Sequence, residues 1–348
     1  MTKTPDHEQS ITAGAVFAGI GGFCEGFRQA GVKTIWAIEQ DPKAVITYEN
    51  NFPDCRTVRY TKDADYEGLS KDIKDVGVNL DSLEQVDIMT AGFPCQSFSQ
   101  AGDRRGFEDD RGKLFFELIR LIKEFGEQRP KLLIFENVPY LKLGQGGAWF
   151  SRIKYEIQSA GYWFSDSNAR ILNPLDLGLL PQRRERLFMV AASTTHFKSN
   201  KFVFPTQSKN KTPDITEYID LNGVKDNYYF LDPENRYFTE LMAVLKSKQE
   251  GSLVQYRKYY ARDIKQGICP TLTANMGQGG HNVPFLRVGR RIRKLTEFEC
   301  ARLQGFERLS FPDTVSKMNR YMQIGNSVAV PVAKLLAQRA VETIKGIC

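Results

Sequence analysis

The stretch ITAGAVFAGIGGFCEGFRQAGVKTIWAIE, residues 11–39, decides how the chain folds. Ala13–Phe17 is a short apolar run suited to a buried parallel strand, and Phe17-Ala18-Gly19-Ile20-Gly21-Gly22 follows it directly. A helical pattern over Gly22–Ala30 and a second apolar run, Thr34–Ile38, complete a strand–turn–helix–strand unit. Glycines in such a turn let backbone approach a ligand at a helix N-terminus. Glu39 stands at the end of the second strand, twenty residues after Gly19, where a carboxylate can accept both hydroxyls of a ribose. A dinucleotide fingerprint would need a third glycine at position 24, which is Cys24, so hydride transfer is disfavoured.

Further apolar runs at Val86–Thr90, Lys131–Phe135 and Leu187–Ala192 alternate with helical patterns at Pro42–Asn51, Lys113–Phe125 and Trp149–Ala160. Pro42 follows Asp41 as a first-turn proline follows an N-cap. The alternation predicts an α/β fold, a doubly wound Rossmann-like sheet of parallel strands with helices on both faces. In such sheets ligands bind beyond the carboxyl ends of the strands. From about Thr195 to Gly289 the long periods give way to Asn, Gly, Pro and Tyr, which predicts a smaller, irregular, mostly-β domain. Helical periodicity returns at Thr296–Gln304 and Val328–Ile344, and the last helix is expected to pack back on the first domain with Asn326 or Ser327 as its cap. The smaller domain is then an insertion before that helix. The expected division is 1–194, 195–290, a hinge over 291–317, and 318–348, with residues 1–10 disordered.

Composition narrows the class. With 41% hydrophobic and 26% charged residues, bulk disorder is excluded. No apolar run approaches the roughly 18 residues of a membrane helix. Ile11–Phe23 could mimic a signal core, but Asp6 and Glu8 precede it against Lys3, so a cytoplasmic location is expected. Six cysteines lie no closer than 31 residues apart, and there are three histidines, so neither zinc nor a disulfide framework is expected. The net charge of +7 is unevenly placed. Gly251–Lys294 holds nine basic residues against Asp263 alone, while Pro213–Glu250 holds eight acids and four bases. That asymmetry suits a segment facing a polyanion.

Several motifs carry chemistry. Gly92-Phe93-Pro94-Cys95-Gln96-Ser97-Phe98-Ser99 sets a cysteine just past a strand's carboxyl end, and the polar loop after it, with Arg104, Arg105 and Arg111, could close over a substrate. Phe135-Glu136-Asn137-Val138-Pro139 ends another strand, where an acid beside apolar residues can hold and donate a proton. Gln182-Arg183-Arg184-Glu185-Arg186 supplies planar donors just before the strand at Leu187. Tyr256-Arg257-Lys258-Tyr259-Tyr260-Ala261-Arg262 interleaves aromatics with bases, as phosphate-gripping segments do, and the glycines in Thr271–Asn282 allow close approach to a groove.

In order and spacing these motifs closely resemble the DNA cytosine-5 methyltransferase family, in its prokaryotic, restriction-modification form, from Val16 to about Ala340 with Thr195–Gly251 unmatched. The resemblance implies that Phe17, Ala18, Gly19, Ile20, Gly21 and Gly22 wrap the methionine part of S-adenosylmethionine, that Glu39 holds its ribose, and that Asp72 and Ile73 contact its adenine. Pro94-Cys95 matches the family's catalytic Pro-Cys, and Glu136-Asn137-Val138 its Glu-Asn-Val. Arg184 and Arg186 match the two arginines of Gln-x-Arg-x-Arg, and Asn326-Ser327 match cofactor-side residues of the last motif. Arg293–Phe306 resembles the motif that organises the recognition domain, and Thr271-Leu272 the Thr-Leu pair within that domain. Gln96, Arg104, Arg105, Arg257, Lys258, Arg262 and Thr271 are the expected DNA contacts. Some members place an aromatic residue after the ribose-binding acid; Gln40 stands there, which leaves Ile73 to pack on adenine.

The implied reaction is methylation of C5 of a cytosine flipped out of double-stranded DNA, leaving S-adenosylhomocysteine as product and using no metal. Cys95 would add to C6, Glu136 would bond N3, Arg186 would bond O2, and Arg184 would steady Glu136. A monomer near the nucleoid, with no membrane contact, is the expected working form. A cognate restriction endonuclease, where one exists, would act on the same site without a stable complex. Of the alternatives, a tRNA cytosine-5 methyltransferase would tend to carry a Cys-Phe-Thr signature, absent here. A silent DNA-binding regulator would not need Cys95 and Glu136 intact.

Overall fold

The computed structural model describes residues 10–60, 68–94, 110–207, 212–257, 260–278 and 282–346. The first unit is β1 (Thr12–Val16), α1 (Gly22–Gln29) and β2 (Lys33–Ile38), followed by α2 (Pro42–Asn51), β3 (Arg56–Thr57) and β4 (Ile88–Ala91). Then come α3 (Asp110–Glu124), β5 (Leu132–Asn137), α4 (Ala148–Ser159), β6 (Tyr162–Trp163), β7 (Ala169–Leu172) and β8 (Arg186–Ser193). Asp41 caps α2 by accepting from the Lys43 N–H, with Pro42 in the first turn.

The strands order as β3-β2-β1-β4-β5-β8-β6, with β7 also paired to β8. The chain runs outward from β1 through β2 to β3, then returns to β4 on the other side of β1. That reversal makes a switch point, so the crevice beyond the carboxyl ends of β1 and β4 is where a ligand belongs. Pairing is parallel from β3 to β5. The sequence predicted that Leu187–Ala192 would be parallel as well, but β8 runs antiparallel to β5, with Glu136 opposite Phe188 and Asn137 opposite Leu187. Strand β8 is buried on both faces, and a continuous apolar run does not encode its own direction. The antiparallel β7–β8 pairing, with no crossover helix between them, turns the chain around.

Helices α3 and α4 cover one face, packing Leu118, Ile122, Ile153 and Ile157 on Met89, Leu133 and Phe135. The other face packs Ile88, Ile134 and Val190 against α1 and the last helix. Burial of these side chains contributes roughly 1.5–3 kcal/mol each.

Beyond the large sheet lie α5 (Phe238–Lys246), β9 (Val254–Arg257), β10 (Tyr260–Asp263), β11 (Phe285–Val288) and β12 (Arg291–Lys294). They are followed by α6 (Glu297–Leu303), α7 (Lys317–Asn326) and α8 (Val330–Ile344). Strands β10-β9-β11-β12 form a second, antiparallel sheet, and α5 buries Leu241 and Leu245 on its Val254, Tyr256, Phe285 and Ile292 face. Phe197, Phe202 and Phe204 pack on the large sheet's cluster. Helix α8 returns to the large sheet and lies against α1 so closely that a Cβ at Gly26 would come within 2.7 Å of the Val330 carbonyl oxygen. Neither Asn326 nor Ser327 caps it. Asn326 ends α7, Ser327 follows as that helix's C-cap, and α8 opens at Ala329 with a proline in its first turn and no side-chain cap.

Candidate active site at the switch point

The turn after β1 is built for close approach. Phe17, Gly19 and Gly21 take φ of 54°, 56° and 85°, and a positive φ at a residue as bulky as phenylalanine is uncommon. At Gly21 a Cβ would lie 2.2 Å from the Phe52 ring, so only glycine fits both the φ and the space. The Gly19 N–H donates to Glu39 Oε2 at 2.7 Å and the Asp41 N–H to Glu39 Oε1 at 2.9 Å. Glu39 therefore ties the first turn to the end of β2. Burial pushes its carboxyl up from the ordinary range, opposed by these two donors. A carboxylate offers about four acceptor sites, more than the backbone donors of Gly19, Gln40 and Asp41 fill, so capacity remains for a hydroxyl.

Ala18 packs beside Phe52, and Ile20 is buried with Leu272, Leu303 and Ile324. Gly22 faces the end of α7: a Cβ there would sit 2.2 Å from Ser327 Oγ. Asp72 caps a short 3-10 turn by accepting from the Lys74 N–H at 3.1 Å. Ile73 is turned into the α3-side core at 2% exposure, so its side chain presents no open face to a base.

The reacting end lies one strand over. Asn137, fully buried, donates through Nδ2 to the Phe93 carbonyl at 3.1 Å and accepts from the Val138 N–H at 2.9 Å. It staples the end of β5 to the segment that leads into Pro94. Glu136 Oε1 is 2.9 Å from Arg186 Nε, and both side chains keep some exposure, 14% and 16%. A Cβ at Gly92 would lie 3.6 Å from Glu136 Oε2, so the acid hangs over the turn after β4. Arg186 Nη1 donates to the Glu185 carbonyl at 2.8 Å, and its Nη2 makes no hydrogen bond among the described residues. The expected nucleophile Cys95, together with Gln96, Arg104, Arg105 and Lys258, lies outside the described residues.

Arg184 is not beside Glu136. Its side chain is buried at 2% exposure and donates to the carbonyls of Leu272 at 2.6 Å, Gly325 at 3.0 Å and Ser327 at 2.7 Å. Alternation along an extended chain would have put residues 184 and 186 on one side, but β8 begins only at Arg186. Around Arg184 a polar hub forms that the sequence did not announce. Gln182 donates to the Leu303 carbonyl at 2.7 Å and to Gln304 Oε1 at 3.0 Å, and Gln304 Nε2 donates to the Ser327 carbonyl at 2.5 Å. The Arg183 N–H donates to the Cys269 carbonyl, and Thr271 Oγ1 to the Arg183 carbonyl. Residues 181–184 thus join the second lobe to α7. The available signal was that Gln182 and Gln304 both fall inside motifs already singled out.

In the second sheet, Arg262 lies opposite Gln255 and Tyr260 opposite Arg257. Arg257, Tyr260 and Arg262 therefore share the face turned away from α5, and all three are exposed. Among the described residues no His/Cys/Asp/Glu group could hold a metal ion, and no helix is long and apolar enough to cross a membrane.

Residues 11–342 match the model of the C-5 cytosine-specific DNA methylase family. The chain is 36% identical over 328 residues to the Type II methyltransferase M.Bsp6I of Bacillus sp. (strain RFL6), covering 93% of this chain and 96% of that protein. It is 30% identical over 327 residues to M.HhaI of Haemophilus parahaemolyticus, covering 92% and 91%. In fold it is similar to the S. pombe Dnmt2 methyltransferase, with TM-score 0.69, 19% identity, and 96% and 99% of the two chains covered. A putative DNA modification methyltransferase encoded within an E. coli prophage gives TM-score 0.67, 20% identity and coverage of 97% and 100%. The chain belongs to the C-5 cytosine-specific DNA methylase family and is a DNA cytosine-5 methyltransferase.

Proposed function

We propose that this enzyme methylates C5 of a cytosine flipped from double-stranded DNA at one short recurring sequence, through a transient Cys95–C6 bond. The observation that carries the reading is the Glu136–Arg186 pair poised over the Gly92–Pro94 turn, across the switch point from the Glu39-anchored glycine turn.

The donor set of that turn fits S-adenosylmethionine. Gly19 and Gly21 leave room at a helix N-terminus, Glu39 retains lone pairs for ribose hydroxyls, and Asp72 and the Asn326-Ser327 corner border the same end of the sheet. When bound, the cofactor supplies an electrophilic methyl group.

The protein's residues do the rest. Cytosine C5 is a weak nucleophile, so the ring must first be activated. The Cys95 thiolate forms a bond to C6, and the electron pair displaced from the C5–C6 bond spreads toward N3 and O2. Glu136 bonds N3 through a proton, and Arg186, whose Nη2 makes no hydrogen bond among the described residues, bonds O2; both offset the developing charge. Once C5 carries the methyl, its proton leaves to a base, water in the simplest case, and the pair returns to re-form C5–C6 as the C6–S bond breaks. Asn137 positions the nucleophile's loop through Phe93. Arg184 acts as a positioning residue, holding the Leu272 segment against α7.

The second lobe, built on the β9–β12 sheet between the large sheet's last strand and α7, is read as the target-recognition part, with Arg257, Arg262 and Thr271 on its DNA side. A cytoplasmic, monomeric enzyme that leaves S-adenosylhomocysteine and needs no metal is in keeping with this scheme. Any cognate endonuclease would meet it only through their shared site.

Bisulfite sequencing of DNA from cells expressing the chain, with Cys95→Ala as control, tests the reading. Methylation at one short recurring sequence, lost in the variant, is the expected result. Unmodified DNA from well-folded protein would overturn it and turn attention to RNA.

A further inference from the structure

A cluster of cations on aromatic rings lies outside the site just described. Lys294 Nζ is 3.8 Å from the centroid of the Tyr228 ring, and Lys317 Nζ is 4.3 Å from the same centroid. One residue past Tyr229, the Arg291 guanidinium sits 3.6 Å from the Phe230 ring centroid. Two ammonium groups on a single ring repel each other. Lys317 has Asp226 at 2.6 Å, but Lys294 Nζ has neither ion pair nor hydrogen bond among the described residues. Among the described residues Arg291 bonds the neutral Asn227 Oδ1, at 3.0 Å, and no acid. Glu297, the nearest buried acid, is taken by the Tyr229 hydroxyl and Arg320. Burial, with Lys317 contributing, lowers the proton affinity of Lys294, although the charges of Glu297 and Asp226 oppose it. A half-buried ammonium held beside a second cation and lacking an acceptor is a group waiting for an anion.

Helix α7 ties the patch to the residues proposed to face cofactor and DNA. Helix α7 runs from Lys317 to Asn326, and Asn326 adjoins the corner where Ser327 meets the cofactor turn. Met318 packs on the 3-10 turn Ala274–Gly277, where a Cβ at Gly277 would fall 2.5 Å from the Met318 carbonyl oxygen. That turn follows Leu272, whose carbonyl Arg184 holds. Nine residues of helix amount to roughly 14 Å at 1.5 Å per residue. Laid along a duplex at 3.4 Å per base-pair step, that length spans about four base pairs.

We propose that Lys294, Lys317 and Arg291, arrayed on Tyr228 and Phe230, grip backbone phosphates of the DNA duplex about four base pairs out from the target cytosine. The proposal rests on the double-stranded DNA reading above and adds a contact that sets affinity and register rather than chemistry. The aromatic platform holds the cations in place, and phosphate oxygens supply the acceptor that Lys294 lacks among the described residues and a counter-charge for Arg291.

The test is the affinity of the full chain for a duplex containing its methylation site, measured across a series of salt concentrations. The double variant Lys294→Met, Lys317→Gln keeps the apolar stems and removes both charges. Its slope of log affinity against log salt should fall by roughly 1.8, and its affinity near 0.15 M salt by roughly ten- to thirtyfold. S-adenosylmethionine affinity and the turnover rate at saturating DNA should stay at wild-type values, and Lys294→Arg should restore binding. On duplexes trimmed to three base pairs on one flank, wild type and variant should converge. Should the double variant not fold, Lys317→Gln with Arg291→Gln, which leaves Lys294 in place and changes the exposed Arg291 instead, carries the same measurement. An unchanged slope, or a loss of turnover with intact DNA affinity, would overturn the proposal. Failure of wild-type protein to bind or methylate DNA would instead remove the reading on which it rests.

Discussion

Arg186 Nε meets Glu136 Oε1 at 2.9 Å across the antiparallel β5–β8 pairing, with Glu136 opposite Phe188 in register. Had β8 run parallel, as its apolar run suggested, Arg186 would begin that strand at the opposite end of the sheet from Glu136. The direction of one strand therefore brings the acid and the guanidinium to the same edge.

Removing either partner should lower turnover without abolishing cofactor binding. Glu136→Gln keeps the shape and loses the proton-transferring group, so turnover should drop on the order of a hundredfold or more. Arg186→Ala removes a donor for O2 and should cost a hundred- to thousandfold, on the order found for single oxyanion donors. Calorimetry with S-adenosylmethionine should give wild-type affinity for both variants. Near-normal turnover in either would remove it from the chemistry.

The ribose-binding role proposed for Glu39 predicts a cofactor affinity that depends on pH. Its folded-state carboxyl is raised by burial, and ribose hydroxyls donate best to the ionised form. Affinity should thus be greatest above that raised value and fall as the solution is acidified through it, beginning above the range of an ordinary glutamate. The stability contribution has the opposite sign: a raised folded value means the folded state binds the proton more tightly, so this group favours folding at low pH and ceases to as pH rises through the folded value. Glu39→Gln should flatten the pH dependence of cofactor binding and weaken it throughout. An unchanged slope would place the ribose elsewhere.

Much of this was legible in the sequence, for reasons that differ by residue. The β1 turn could be read because glycine and a spaced carboxylate leave a local mark, as at Gly19, Gly21 and Glu39. The positions of α1, α2 and α4 could be read from periodicity and, at Asp41-Pro42, from a cap. Strand direction could not, because β8 is an unbroken apolar run from Leu187 to Ala192. The role of Arg184 could not either, since its acceptors are the carbonyls of Leu272, Gly325 and Ser327, which no side-chain pattern encodes. Helix α7 escaped because it ends at Ile324-Gly325-Asn326. Gly325 is there for contact: a Cβ would lie 2.1 Å from the Thr273 carbonyl carbon.

The buried thiols should be silent. Burial pushes Cys24 up to about 12 and raises Cys55, Cys269 and Cys300 as well, and a thiol so placed holds almost no thiolate near pH 8. A thiol titration of native protein with a disulfide reagent should therefore count no more than two of the six cysteines, Cys95 and Cys348, and denaturant should release the rest. Cys95→Ala should remove one of the native pair. Four or more reactive thiols in native protein would contradict the packing around Tyr48, whose hydroxyl lies 3.2 Å from both Cys24 and Cys55 sulfurs.

A buried ion pair joins the last strand of the second sheet to α6. Arg293 and Glu299 are 0% and 1% exposed and 2.8 Å apart, and the carboxylate also accepts from the Thr296 and Asp220 N–H groups. Arg293→Met leaves a buried carboxylate with its backbone donors but no counter-charge, at a cost of about 3–5 kcal/mol. Because Arg293 Nη2 also holds the Asp220 carbonyl, the loop before the second sheet should loosen with it. Denaturant unfolding should show that loss, while Glu299→Gln with Arg293→Met should recover part of it, since no unpaired charge then remains. A double variant less stable than Arg293→Met alone would mean that Glu299 works chiefly as the helix cap of α6 rather than as the arginine's counter-ion.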